Sequence, residues 1–197
     1  MTGKKPLCHI APMTRTTALV TARLRMRPYR EDDIDRLWRL WTDVDVRRYL
    51  WDDETIDRDT AAAAVRDSIA CSAEHDFGHW AVCRRDGADD EVIGFCGLRI
   101  HEALPEVELM YGFAPVHWGA GLATEGSRAW LRYGFEALDR PRIWAVTDTP
   151  NERSQAVMRR LGMRFEKRFD HNGLDTVRYV MERRDFTPAD EPYEVIR

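Results

Sequence analysis

Residues 107–126, VELMYGFAPVHWGAGLATEG, decide how this chain is read. Val107 to Phe113 is a strand candidate, apolar on both faces, and Pro115 ends it. Trp118-Gly119-Ala120-Gly121-Leu122-Ala123 then leads into a helix. Small residues at a helix entry let backbone N–H groups approach a ligand closely. The first-turn N–H groups have no partner within the helix, and the helix dipole favours negative charge there. The stretch therefore suits a phosphate or pyrophosphate. No Gly-Lys-Ser/Thr follows, so it is not a P-loop. On these grounds alone an ordinary glycine-rich turn would look similar.

Working outward, Leu24–Arg27 alternates as a first strand, stopped by Pro28. Acidic residues 31–33 open a helix through Trp41, with Ile34, Leu37, Trp38 and Trp41 at helical spacing. Residues 43–56 read as loop or broken helix, and 57–72 as a second helix. Strands are expected near 79–84, 92–100 and 106–113, the first two joined by the polar turn at residues 86–90. Beyond the quoted stretch come a helix to Leu138, a strand at 142–147 and a short helix at 151–161 closed by Gly162. Two strands at about 163–169 and 176–182 complete the series. The order β-α-α-β-β-β-α-β-α-β-β gives an α+β domain with a mixed, mostly antiparallel sheet of about six to seven strands and flanking helices. Residues 1–18 read as an N-terminal extension, within which Met13-Thr14-Arg15 offers a second translation start. Residues 19–184 form the domain and 185–197 a polar tail.

Composition bounds the function. The 197 residues are 44% hydrophobic and 32% charged, which excludes a disordered or low-complexity chain. A net charge of −4 disfavours nucleic acid and anionic membranes and mildly favours a cationic partner. The N-terminal residues lack a signal-peptide apolar core and no stretch is long enough to span a bilayer, so a cytoplasmic protein is expected. The four cysteines, Cys8, Cys71, Cys83 and Cys96, form no CxxC pair. Cys71, His75, His79 and Cys83 recur every fourth residue and would align as metal ligands on one helix. Phe77-Gly78 reads as a turn before a strand, however, so the four diverge and no metal is expected.

The central segment resembles the acetyl-CoA-binding motif of the GCN5-related N-acetyltransferases (GNAT), Q/R-x-x-G-x-G/A, with Gly121 and Ala123 at its last two fixed positions. Trp118 stands where most members carry Gln or Arg. That departure is similar to the RimJ/RimL-like branch, E-x-x-Y-x-x-x-P-x-x-W-G-x-G-x-A-T-E-A. The chain supplies Glu108, Tyr111, Pro115, Trp118, Gly119, Gly121, Ala123, Thr124 and Glu125, nine of ten positions, and departs only at Gly126. Asn151 to Ser154 with Leu161-Gly162-Met163 resembles the family's N-x-x-S/A…L-G-F helix. Thr21, Arg23, Leu24, Arg27 and Pro28 fit the branch's first strand.

The resemblance implies a GNAT fold and an acetyl-CoA-dependent N-acetyltransferase. A bulge in strand 106–113 would open it from its neighbour, and pantetheine would pair with backbone near Phe113 and Ala114. Pyrophosphate would sit on the N–H groups of Trp118, Gly119, Ala120, Gly121, Leu122 and Ala123. Asn151 and Ser154 would reach pantetheine from the other side. A primary amine would attack the thioester directly. A lysine-type amine costs roughly 4–5 kcal/mol to neutralise at pH 7, an α-amine only about 1–1.5 kcal/mol, so a base helps in both cases. Glu108 is the candidate base: a carboxylate in an apolar strand is unusual, and burial moves a carboxyl pKa toward neutrality. A structural ion pair with an arginine is the competing reading.

Met158 occupies the position where many relatives carry an acidic Tyr, which leaves Ser154 as candidate donor to the thiolate. A backbone N–H near Phe113 or Ala114 would hold the oxyanion. The acceptor, a protein N-terminal amine or a small-molecule amine, would meet Tyr49 and Trp51 in the loop 43–59, which holds seven acids and three bases. The hairpin tip at 171–173 is shorter than in some ribosomal-protein acetylating relatives. A non-catalytic acyl-CoA sensor is the alternative. A monomer and a homodimer are equally compatible with the sequence.

Overall fold

The computed structural model describes residues 15–87, 90–101 and 104–197. Most of the expected N-terminal extension, including Cys8 and two residues of the second-start motif, lies outside them, as do residues 88 and 89 of the expected turn. The strands are β1 (Ala18–Thr21), β2 (Leu24–Pro28), β3 (His79–Arg84), β4 (Val92–His101), β5 (Leu104–Phe113), β6 (Arg142–Asp148), β7 (Arg164–His171), β8 (Leu174–Glu182) and β9 (Tyr193–Ile196). The helices are α1 (Ile34–Thr42), α2 (Val44–Arg47), α3 (Arg58–His75), α4 (Leu122–Glu136) and α5 (Glu152–Arg160).

Among the described residues nine strands join one sheet in the order β7-β8-β6-β5-β4-β3-β2-β1-β9. The β5–β6 pair is parallel and the other pairs are antiparallel. This is the α+β GNAT architecture expected, with two strands more than the sequence predicts. β1 is a four-residue apolar segment with no turn signal ahead of it, and β9 lies within the stretch expected to be a polar tail. Each is too short to announce itself, and they pair with one another at the sheet edge.

Helix boundaries follow local chemistry. Asp57 caps α3 by accepting from the Thr60 N–H, and Asp76 ends it in the left-handed conformation at φ 62°. α1 buries Ile34, Leu37, Leu40 and Trp41 along one stripe. With α3 it covers one face of the sheet through Ala61, Val65, Ala81 and Phe95. α4, whose Trp130, Tyr133 and Phe135 are almost fully buried, covers the other face with Met158 and Leu161 from the α5 region. Cys71 and His75 lie on α3, and His79 and Cys83 on β3, so the four-residue repeat parts at Asp76–Gly78. Among the described residues no helix is long and apolar enough to cross a membrane.

Candidate active site

Among the described residues the sheet has one parallel pair, β5–β6, and it divides there. β5 and β6 are in register only at Val107↔Ile143 and Glu108↔Trp144, although both strands run on past these positions. The sequence reading placed a bulge in 106–113. Pairing of β5 with β4 instead runs without a shift from Val107 to Phe113, and the irregularity falls at Ile100/His101. The opening therefore comes from departure of β6. Such a crevice beyond a crossover helix is where sheets of this kind bind ligands.

The Ala114 N–H donates to the Ile93 carbonyl at 3.0 Å, so it serves β4 and is no free oxyanion donor. Ladder alternation from that bond turns the N–H groups of Leu109, Tyr111 and Phe113 toward the gap. The Phe113 carbonyl accepts the Trp118 indole N–H at 2.7 Å. Of the pair expected at pantetheine and oxyanion, Phe113 turns its N–H to the gap and Ala114 turns its own to β4.

The α4 entry has the backbone geometry of an anion cradle. Gly119 and Gly121 have φ of 76° and 78°, a region that favours glycine. Gly121 is the N-cap, and among the described residues no side chain caps the first turn. The N–H groups of Leu122, Ala123 and Thr124 thus lack intrahelical partners. Arg23 donates to the Ala120 carbonyl at 2.9 Å and pairs with Glu125, which also accepts from Thr21. These bonds fasten the entry from behind. Burial opposes ionisation of Glu125, but the Thr21 and Arg23 hydrogen bonds hold its pKa below the usual carboxylate range. The Arg153 guanidinium stacks 4.9 Å from the Trp118 ring centre, bringing a cation from α5 beside the cradle. Sequence reasoning missed it, because only the fold brings the two helix entries together.

Glu108 is 1% exposed and accepts from the Arg99 Nε at 2.6 Å. The arginine ion pair raised as the competing reading is therefore present. Arg99 is 45% exposed at its side chain, so the pair sits at the cleft wall with its cation toward solvent. Register places Glu108, Arg99, Phe95 and His79 on the face covered by α1 and α3. His79 is pushed down to about 3 by burial and by the Arg99 charge, so it is neutral and a weak base. Its Nε2 is buried without a partner among the described residues.

Tyr111 lies on the opposite face. Its hydroxyl is 2.9 Å from the Ser154 Oγ and donates to the Ser154 carbonyl at 3.1 Å. Burial raises the Tyr111 pKa well above the ordinary phenol, while the Ser154 hydrogen bond opposes this. Met158 is core at 1% exposure. Asn151 is the α5 N-cap, its Oδ1 accepting from the Ser154 N–H at 3.1 Å, rather than a residue on the helix face.

One cleft of about 2100 Å³ is lined by Tyr49, Trp51, Glu108, Phe113, Trp118, Gly119, Gly121, Leu122, Ala123, Asn151 and Ser154. Ala114 and Ala120, also expected at the site, do not line it. The volume exceeds that of a typical single-ligand pocket and leaves room for two reactants. Among the described residues no cluster of three or more His, Cys, Asp or Glu is placed to hold a metal.

The acetyltransferase (GNAT) domain family matches residues 23–164. The N-acetyltransferase p20 of Bacillus licheniformis is 30% identical over 153 residues, spanning 75% of this chain and 83% of that protein. The spermidine N(1)-acetyltransferase of Escherichia coli K12 is 24% identical, spanning 75% and 76%. The ribosomal L7/L12 α-N-protein acetyltransferase RimL, solved in complex with coenzyme A, shares the fold with a TM-score of 0.70 at 17% identity, covering 83% of this chain and 96% of RimL. The family match runs from the arginine that fastens the glycine entry to the first residue of β7, and it shows that this chain belongs to the GNAT acetyltransferases and is an N-acetyltransferase.

Proposed function

We propose that the chain transfers the acetyl group of acetyl-CoA to a primary amine by direct attack, with Glu108 taking the amine proton and the Tyr111–Ser154 hydroxyl pair meeting the departing thiolate. One observation carries this reading: the carboxylate and the hydroxyl pair stand on opposite faces of β5, at the gap where β6 leaves it. An amine can then approach from the α1/α3 face while the thiol arm occupies the α4/α5 face. Diphosphate would rest on the first-turn N–H groups of α4, with Arg153 adding a positive charge. With the Ala114 N–H spent on β4, the Phe113 N–H is the one of the expected pair left to hold the developing oxyanion.

Competing groups are poorly suited to the task. His79 is too weak a base. Cys83 and Cys96 are fully buried, and burial pushes each up to about 12, so neither is a ready thiolate for an acyl-enzyme. Arg99 orients the Glu108 carboxylate through one N–H. A thiol leaves tolerably at neutral pH, which limits what the Tyr111–Ser154 pair must contribute. The likeness to a spermidine acetyltransferase and to RimL supports an amine acceptor, either small or a protein N-terminus.

The test is thiol release from acetyl-CoA against an amine panel, with mass spectrometry of the products. Saturable N-acetylation of one class supports the reading. Acetyl-CoA binding without turnover of any amine would instead favour a sensor.

A further inference from the structure

We propose that the acceptor carries a second cationic centre, held between Asp52 and Asp148 above the aromatic floor of the cleft, which makes a flexible diamine or polyamine the substrate class. This inference rests on the acetyl-transfer reading.

Beside the cleft, Asp53 pairs with Arg47 and Asp45 with Arg48, whereas Asp52, Asp67, Glu74, Asp148 and Glu152 line it with no arginine or lysine within 4.0 Å among the described residues; of these, Asp52 and Asp148 face each other. They come from separate elements, the loop after α2 and the end of β6. Asp148 is half-buried and is faced by Asp52, by His171 of β7, and by Thr176 and Asp175 of β8. Burial first, and then the Asp52 charge, pushes its carboxyl pKa up. Two like charges placed across a cleft with no arginine or lysine between them cost stability until a cation arrives.

The floor of the same region is aromatic. Trp41 packs 6.0 Å from Trp51 and 6.1 Å from Phe95, centre to centre. Tyr29 and Trp41 line the cleft at 4% and 5% exposure. The Tyr29 Oη and Trp41 Nε1 are buried with no hydrogen-bond partner among the described residues. A methylene chain can lie on the half-buried Trp51 ring, which the buried Trp41 backs, and an ammonium is attracted to its face.

Spacing sets the length. Trp144 is level with Glu108, and at about 3.3 Å per residue Asp148 lies about 13 Å further along β6. Such a reach fits a long diamine or a triamine better than a compact amino acid.

The test compares kcat/KM at saturating acetyl-CoA for spermidine, diamines of increasing length, mono-amines of matched length and a short peptide. The expected result is that spermidine or a long diamine exceeds its matched mono-amine about tenfold or more. Asp52→Asn and Asp148→Asn should each shrink that ratio about three- to tenfold, mainly through KM. Both variants should melt at or above the wild-type temperature, because a like-charge repulsion is removed. If the peptide or mono-amine reacts as well as the diamines, or the ratio survives both substitutions, acetyl transfer stands and this inference falls. If no amine reacts although acetyl-CoA binds, both fall.

Discussion

Glu108 stands out in the sequence because a carboxylate interrupts an apolar strand, but its partner does not. Arg99 is nine positions upstream, and only the register of β4 against β5 sets the two opposite each other. The same dependence hides Tyr111 from Ser154, forty-three positions apart. Gly126, where the branch pattern has Ala, can be judged atom by atom. A Cβ there would lie 3.4 Å from the Leu24 Cδ1 and the Met26 Sδ, and 3.7 Å from the Cys96 Sγ, which is contact without overlap. Gly126→Ala therefore adds packing and removes glycine's helix penalty. We expect it to stabilise the fold by about 0.5–1 kcal/mol in urea unfolding. A loss of stability would mean that the gap between α4 and the sheet is tighter than these distances state. Gly121 is the opposite case, because its φ of 78° makes any Cβ strained.

At the scale of elements, the glycine entry of α4 is held by the β1–β2 hairpin. Glu125 accepts from the Thr21 hydroxyl at 2.6 Å and from the Arg23 N–H at 2.8 Å, and it pairs with the Arg23 side chain. This explains why Thr21 and Arg23 belong to the same pattern as a helix one hundred residues away. Glu125→Gln should cost about 1–2 kcal/mol at pH 7, toward the low end because Arg23 is partly exposed. The sign with pH follows from the lowered pKa of Glu125 in the fold. Its contribution is complete above the unfolded carboxyl value of about 4.3 and is lost as pH falls through the folded value. Urea unfolding at pH 7, 5 and 3 should show the gap between wild type and variant closing with acid. A gap that stays constant would show that the substitution acts through packing and not through the charge.

For the whole molecule, the legible part was what short-range patterns encode. The α1 stripe, the α4 entry, the Gly162 stop and most strands follow from periodicity and turn chemistry. β1 and β9 were not legible, because four residues carry no period and their pairing joins the two ends of the described chain. The opening of the sheet was expected, but its cause was assigned to the wrong partner: β6 departs while β5 remains in step with β4. Among candidate site residues, the glycine entry and Glu108 were singled out from the sequence itself and Asn151 and Ser154 from the family resemblance, and all of them line the cleft. Arg99, Arg153 and the facing carboxylates Asp52 and Asp148 were not, since each meets its neighbours only through an element far away in sequence.

In the proposed mechanism the divided sheet matters because one strand would present a carboxylate to the acceptor and a hydroxyl pair to the leaving group. The most direct test is thiol release by Glu108→Gln with the best acceptor, set beside acetyl-CoA affinity measured by calorimetry. The account predicts that kcat/KM for the amine falls about 100-fold or more while acetyl-CoA affinity stays within about threefold. A rate within a few-fold of wild type would contradict it and leave the Arg99–Glu108 pair a purely structural one.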